Sequence, residues 1–207
     1  MKTRREALFV LGASVLAVPA MAQLGGLGKL VGAGKSDGGT DPTKLQTDLV
    51  AIYVASMFAI AELSGALSLE EDKKKALSSA EDIKNAGNLK DAASQMTARS
   101  SAIGDQAKKY EQEGKKLSGS ETAAVIKGGL AAIATIPLWK KAVQDASSLD
   151  KTAALKLPAL VAAVTTLPAA AKGTVSMCAA VVSLLKVCGD ASKKDEISKM
   201  GVSILSA

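Results

Sequence analysis

Ser183-Leu184-Leu185-Lys186 has the Ser-x-x-Lys spacing with which penicillin-binding proteins build an acyl-enzyme. That chemistry also needs Lys-Thr-Gly and Ser-Asp-Asn companions, and the chain has neither. In a sequence this rich in Ser and Lys, the tetrad is expected by chance. Gly34-Lys35-Ser36 invites a phosphate-loop reading, but the first glycine of that motif would fall on Lys29, and Gly28 is one place off. No strand pattern precedes it. Histidine is absent from the whole chain, which removes Ser-His and Cys-His nucleophiles and the commonest metal ligand. The two cysteines, Cys178 and Cys188, form no Cys-x-x-Cys pair, so neither a zinc nor a thioredoxin-type site is suggested. Adjacent carboxylates such as Glu81-Asp82 occur in charged runs that read as solvated surface. Glu62 is different, because it is the one charge in the apolar run 49–69. It reads as a functional carboxylate or as half of an ion pair at a bundle edge, and the ion pair is preferred. The sequence therefore assigns no catalytic, cofactor-binding or metal-binding residues, and the expected protein is not an enzyme.

The elements around these residues read as helices. Aromatic residues are 2% of the chain, so the core must be built from Ala, Val, Leu and Ile, which suits close helix packing. No alternating strand pattern appears. The expected fold is all-α: a bundle of about six to seven helices after a cleaved signal peptide and a Gly-rich leader.

Residues 1–22 have the three parts of an export signal. Lys2, Arg4 and Arg5 form a charged start, 7–18 an apolar centre, and Ala20-Met21-Ala22 a small-x-small cleavage site. Arg4-Arg5 resembles a twin-arginine signal, although Ala7 stands where that pattern has Phe, so the Sec and twin-arginine routes stay open. Residues 23–40 form the Gly-rich flexible leader, and 41–207 the helical domain. The net charge is +6, and loss of Lys2, Arg4, Arg5 and Glu6 with the signal leaves +4. This mild excess is interleaved with acids, as in Glu70-Glu71-Asp72-Lys73-Lys74-Lys75, and does not form a nucleic-acid footprint.

Within the domain, Asp41-Pro42 caps and starts a first helix to about Leu67, with Ala51, Ala55, Ala59, Glu62 and Ala66 on one narrow face that admits another helix. Ser68 and Glu71 predict a capping box for a second helix ending at Asn85-Ala86-Gly87. Asn88 is the expected cap of a third. Leu89, Met96, Ile103, Tyr110 and Leu117, with Ala93, Ser100 and Ala107, give that helix a narrow apolar stripe and a wide polar back. Ser118 and Glu121 open a fourth, weakened at Gly128-Gly129 and kinked or restarted at Pro137. Trp139 beside Lys140 and Lys141 reads as a membrane-interface anchor or as a ring packed across a bundle end. Asp150 starts a fifth helix kinked at Pro158 and Pro168. Gly173 ends it, Thr174 caps a sixth that closes at Gly189, and Ser192 with Asp195 opens a short seventh.

The stretch 157–185 has Lys172 as its sole charge, so 157–188 is expected to fold back on itself as an apolar hairpin about Lys172-Gly173. If 178–188 is one helix, Cys178 and Cys188 stand about 15 Å apart along its axis and do not bond to each other. Either thiol then packs as a small apolar group, or one bridges to a second molecule. Two functions follow. The first is a periplasmic or secreted, non-catalytic helical protein that mediates protein interaction or envelope assembly. The alternative is a lipid-handling or membrane-active protein that opens the hairpin. The expected partners are another envelope protein or a lipid surface, with no nucleic acid.

Overall fold

The structure is a computed structural model that describes residues 40–89, 91–149, 152 and 155–187. The export signal, nearly all of the leader, Cys188, Gly189 and the expected seventh helix lie outside the described residues. Within them are five helices: α1 (Pro42–Ala66), α2 (Glu70–Ala86), α3 (Ala92–Glu113), α4 (Gly119–Ser147) and α5 (Pro158–Val187). No strand occurs among the described residues; the β-type pairing there is one isolated bridge, Thr40 to Leu149.

Contacts along the helices give their directions. Glu62 meets Lys127, Tyr53 meets Trp139, and Thr40 meets Leu149, so α1 and α4 are antiparallel. Ser79 of α2 meets Gln95 of α3 and Asp72 acts on Arg99, so those two are antiparallel as well. Gly173 lies against Thr97 and Lys186 reaches Glu111, so α3 and α5 run parallel. The main packing pairs are α1 with α2, α1 with α4, α4 with α5, and α3 with α5, which closes an up-and-down bundle. Leu49, Tyr53, Met57, Ile60 and Leu63 put α1 in its centre, buried on nearly every side.

Several termini follow the sequence. Asp41 Oδ1 accepts from the Thr43 N–H, and Pro42 occupies the first turn. Ser118 and Glu121 form both halves of a capping box. Gly87 ends α2 with φ 61°, a left-handed conformation glycine adopts without penalty. Of the stripe expected for the third helix, Met96, Ile103 and Tyr110 lie on α3 and are buried, while Leu89 before it and Leu117 after it are buried outside the helix.

Other expectations are corrected. Ser68 does not cap α2. It takes φ 59° and ends α1 instead, its N–H bonding Gly65 O while the Leu69 N–H bonds Ser64 O, the Schellman pattern. The residue before α2 is Leu69, with no side-chain cap. Asn88 does not start α3, which begins at Ala92 after Asp91. Pro137 neither stops nor restarts α4, and Pro168 does not stop α5. Both prolines are exposed, so neither ring is forced into the core.

The largest correction concerns 157–188. The expected fifth and sixth helices are the single helix α5, which runs unbroken through Lys172-Gly173, so there is no hairpin. Its buried residues Leu160, Ala163, Leu167, Ala170, Thr174, Met177, Val181 and Leu184 follow one another at three- and four-residue steps across that point. A continuous stripe gains more from burial than the roughly 1 kcal/mol that an interior glycine costs. Gly173 is a contact site, not a terminator: a Cβ there would stand 3.7 Å from Thr97 of α3. Thr174 is buried and donates to Ala170 O at 3.4 Å within the helix, so it caps nothing.

Candidate functional site

The interface between α1 and α4 is built on small residues. A Cβ on Gly128 would lie 2.8 Å from Leu63 Cγ and 3.1 Å from Ala59 O. Ala59 belongs to the small face expected of the first helix, and α4 is the helix that approaches it. At the edge of this contact Lys127 Nζ donates to Glu62 Oε1 at 2.5 Å, each side chain about one-third exposed. Glu62 is thus placed in the ion pair that the sequence favoured.

Trp139 is buried with 2% exposure, and its ring meets Tyr53 edge-on at 4.9 Å and 81°. Such pairs contribute about 0.5–1.5 kcal/mol beyond area burial. Of the two readings of Trp139, the packed one fits: the ring locks α4 to α1 inside the bundle. Burial pushes the Tyr53 phenol up to about 12, and Thr166 opposes this only in part. The Thr166 hydroxyl is already committed to the carbonyls of Ala162 and Ala163.

The remaining candidates do not converge on a reactive centre. Ser183 borders a groove between α3 and α5, while the Lys186 amine is turned toward Glu111 at 3.5 Å. Glu81 and Asp82 are exposed on α2. Cys178 is buried and free, and burial pushes its thiol up to about 11, far from a reactive thiolate. Cys188 and Gly34-Lys35-Ser36 lie outside the described residues. Among the described residues no group of three His, Cys, Asp or Glu side chains comes together.

What the fold does assemble is a surface, and its charge is divided. The α2 helix carries Glu70, Glu71, Asp72, Glu81 and Asp82 with Lys73, Lys74 and Lys75 between them and Lys84 after them, and α3 is similarly mixed. By contrast α5 has no acidic residue. The large apolar side chains recorded as exposed are Leu130 and Val143 of α4, Val175 of α5, and Leu155 in the link between these helices. One end of this face opens into a cleft of about 500 Å³, within the ordinary range of ligand sites. Ile136, Trp139 and Val143 form its α4 wall, and Ala171, Val175 and Cys178 its α5 wall. Lys140 and Lys172, one from each wall, are exposed at its border.

Reading the sequence alone missed this cleft. Its signal was present in Val143 and Val175, apolar residues that fall outside the core stripes of their helices. No family model matches the chain, and no curated protein or solved structure matches it.

Proposed function

We propose that the protein is an exported, non-catalytic helical module that mediates interaction or assembly in the bacterial envelope, with the α4–α5 face as its working surface. One observation carries this reading: Val143 of α4 and Val175 of α5, both exposed, line one cleft between their helices. Scattered apolar residues need no explanation, but exposed apolar groups from two helices that meet at a cleft mark a contact surface. The opposite side, formed by α2 and α3, is densely charged and suits solvent. Export rests on the signal at 1–22, with cleavage between Ala22 and Gln23. Three helices, α1, α4 and α5, are long and apolar enough to cross a membrane by length and composition. In the bundle the apolar side chains of α1 are covered by protein instead, which supports a water-facing module.

The test is retention of envelope components on the immobilised mature protein, compared with a Val143→Glu, Val175→Glu variant whose helicity and thermal midpoint match the parent. Retention by the parent and loss by the variant is the expected result. Equal retention by both would remove the α4–α5 face as the working surface. The lipid reading in its original form, with 157–188 opening as a hairpin, loses its hinge because α5 is continuous.

A further inference from the structure

We propose that the cleft between α4 and α5 binds the free carboxylate of a long-chain fatty acid, the acyl chain lying on Trp139, Val143, Ala171 and Val175 and the carboxylate held by Lys140 and Lys172. The inference rests on the reading of α4–α5 as the working surface and names its ligand.

The cleft walls are almost wholly apolar, and every methylene removed from water into such a slot contributes to binding. From Ala171 to Cys178 the α5 wall runs seven residues, about 10 Å of helix, which is a slot and not a point contact. A hydrocarbon alone would leave the lysines unused. Lys44, Lys127, Lys141 and Lys186 each stand within ion-pair distance of a carboxylate. Lys140 and Lys172, like Lys73, Lys75, Lys84, Lys116 and Lys156, have no such partner among the described residues, and they are the two that border the cleft. The wall that carries Lys172 offers none, because α5 has no acidic residue. Two cations flanking an apolar slot are complementary to one anionic head on one apolar tail. The Trp139 indole N–H adds a buried donor without a partner among the described residues, in a residue of the same wall. A bilayer surface fits less well: the slot is concave and narrow, and the flanking cations number two, whereas surface adsorption draws on a broad basic patch.

Trp139 is the chain's single tryptophan and lines the cleft, so quenching of its indole reads contact there. The experiment titrates the mature protein with dibromostearate, whose bromines quench indole on contact, below the concentration at which the fatty acid aggregates. Calorimetry with oleate gives the stoichiometry. Saturable quenching, one oleate per chain, and at least about tenfold weaker binding by the Lys140→Gln, Lys172→Gln variant are expected, since each lysine supplies a charge-assisted contact. Oleyl alcohol, which lacks the charge, should bind parent and variant equally.

Absence of saturable quenching would overturn the proposal, as would oleate affinity indifferent to the two lysines. Co-sedimentation with phosphatidylglycerol vesicles without quenching by the monomeric acid would overturn it in favour of membrane adsorption. If the fatty acid fails to bind while Val143→Glu, Val175→Glu still abolishes retention of envelope components, the working surface stands and only the ligand falls.

Discussion

Gly128 and Gly104 are both interior helical glycines, and local propensity says that alanine should stabilise each by about 0.5–1 kcal/mol. The bundle separates them. At Gly104 a new Cβ meets nothing within 4 Å, so Gly104→Ala keeps the whole gain. At Gly128 the same methyl group would stand 2.8 Å from Leu63 Cγ, 3.0 Å from Leu63 Cδ2 and 3.1 Å from Ala59 O. Leu63 is fully buried, and the Ala59 oxygen is backbone in the central helix, so neither can retreat without moving α1 or α4. Overpacking of this kind costs about 1–3 kcal/mol, and the confined neighbours put Gly128→Ala in the upper part of that range. After the propensity gain, the net loss is about 1–2 kcal/mol. The two variants should therefore differ by about 2–3 kcal/mol. For a chain of this size that corresponds to roughly 5–10 °C between their thermal midpoints, with the parent between them. Thermal unfolding of the mature protein followed by helical circular dichroism reads this directly. On a Leu63→Ala background the Gly128→Ala cost should shrink, because the residues couple through one contact. If Gly128→Ala raised the midpoint as much as Gly104→Ala, α1 and α4 would not approach closely at this point, and the antiparallel register drawn through Glu62 and Tyr53 would lose its tightest contact.

Ser118→Ala removes a complete capping box and should cost about 1 kcal/mol, whereas Ser68→Gly should be neutral or stabilising because φ 59° suits glycine; urea midpoints compare them. The Cys178 thiol is raised from 9.0 to about 11, so its neutral form is the one that fits the fold, and its contribution is complete below pH 9 and lost as pH rises to 11. That loss is about 2–3 kcal/mol; Cys178→Ala should move the onset of the alkaline fall from about pH 9 to about pH 10, where Tyr53, raised from 10.0 to about 12, begins its own loss, as stability measured across pH 8–12 would show. Glu62→Gln should cost less than about 1 kcal/mol, since its pair with Lys127 is one-third exposed, and a larger loss in chemical denaturation would point to a role beyond the ion pair. Non-reducing peptide mapping should recover no Cys178–Cys188 cross-link, because α5 continues unbroken from Cys178 to Val187.

The sequence by itself determined the fold class and several helix ends. Asp41-Pro42, Asn85-Ala86-Gly87 and Ser118-Gly119-Ser120-Glu121 act through atoms a few residues apart, so their meaning is present in the local order of the chain. The stripe from Met96 to Tyr110 was legible for the same reason, since its period is that of the helix itself. Ser68 was misread although it too is local: hydroxyl and left-handed turn are both open to serine, and the close of α1 takes precedence over the start of α2. The glycines and prolines of the last two helices were misread for a different reason. Gly173 breaks a helix in isolation, but the buried stripe of α5 packs against α3 straight through it; Pro137 and Pro168 are exposed and stay within their helices. Those outcomes depend on which neighbour arrives, and no local pattern encodes that. The cleft is the extreme case. Val143 and Val175 stand more than thirty positions apart in the sequence, Lys140 and Lys172 likewise, and only the antiparallel packing of α4 on α5 makes them the walls and rim of one site. Burial and charge pairing are properties of the assembled helices, so the cleft was decided by tertiary structure.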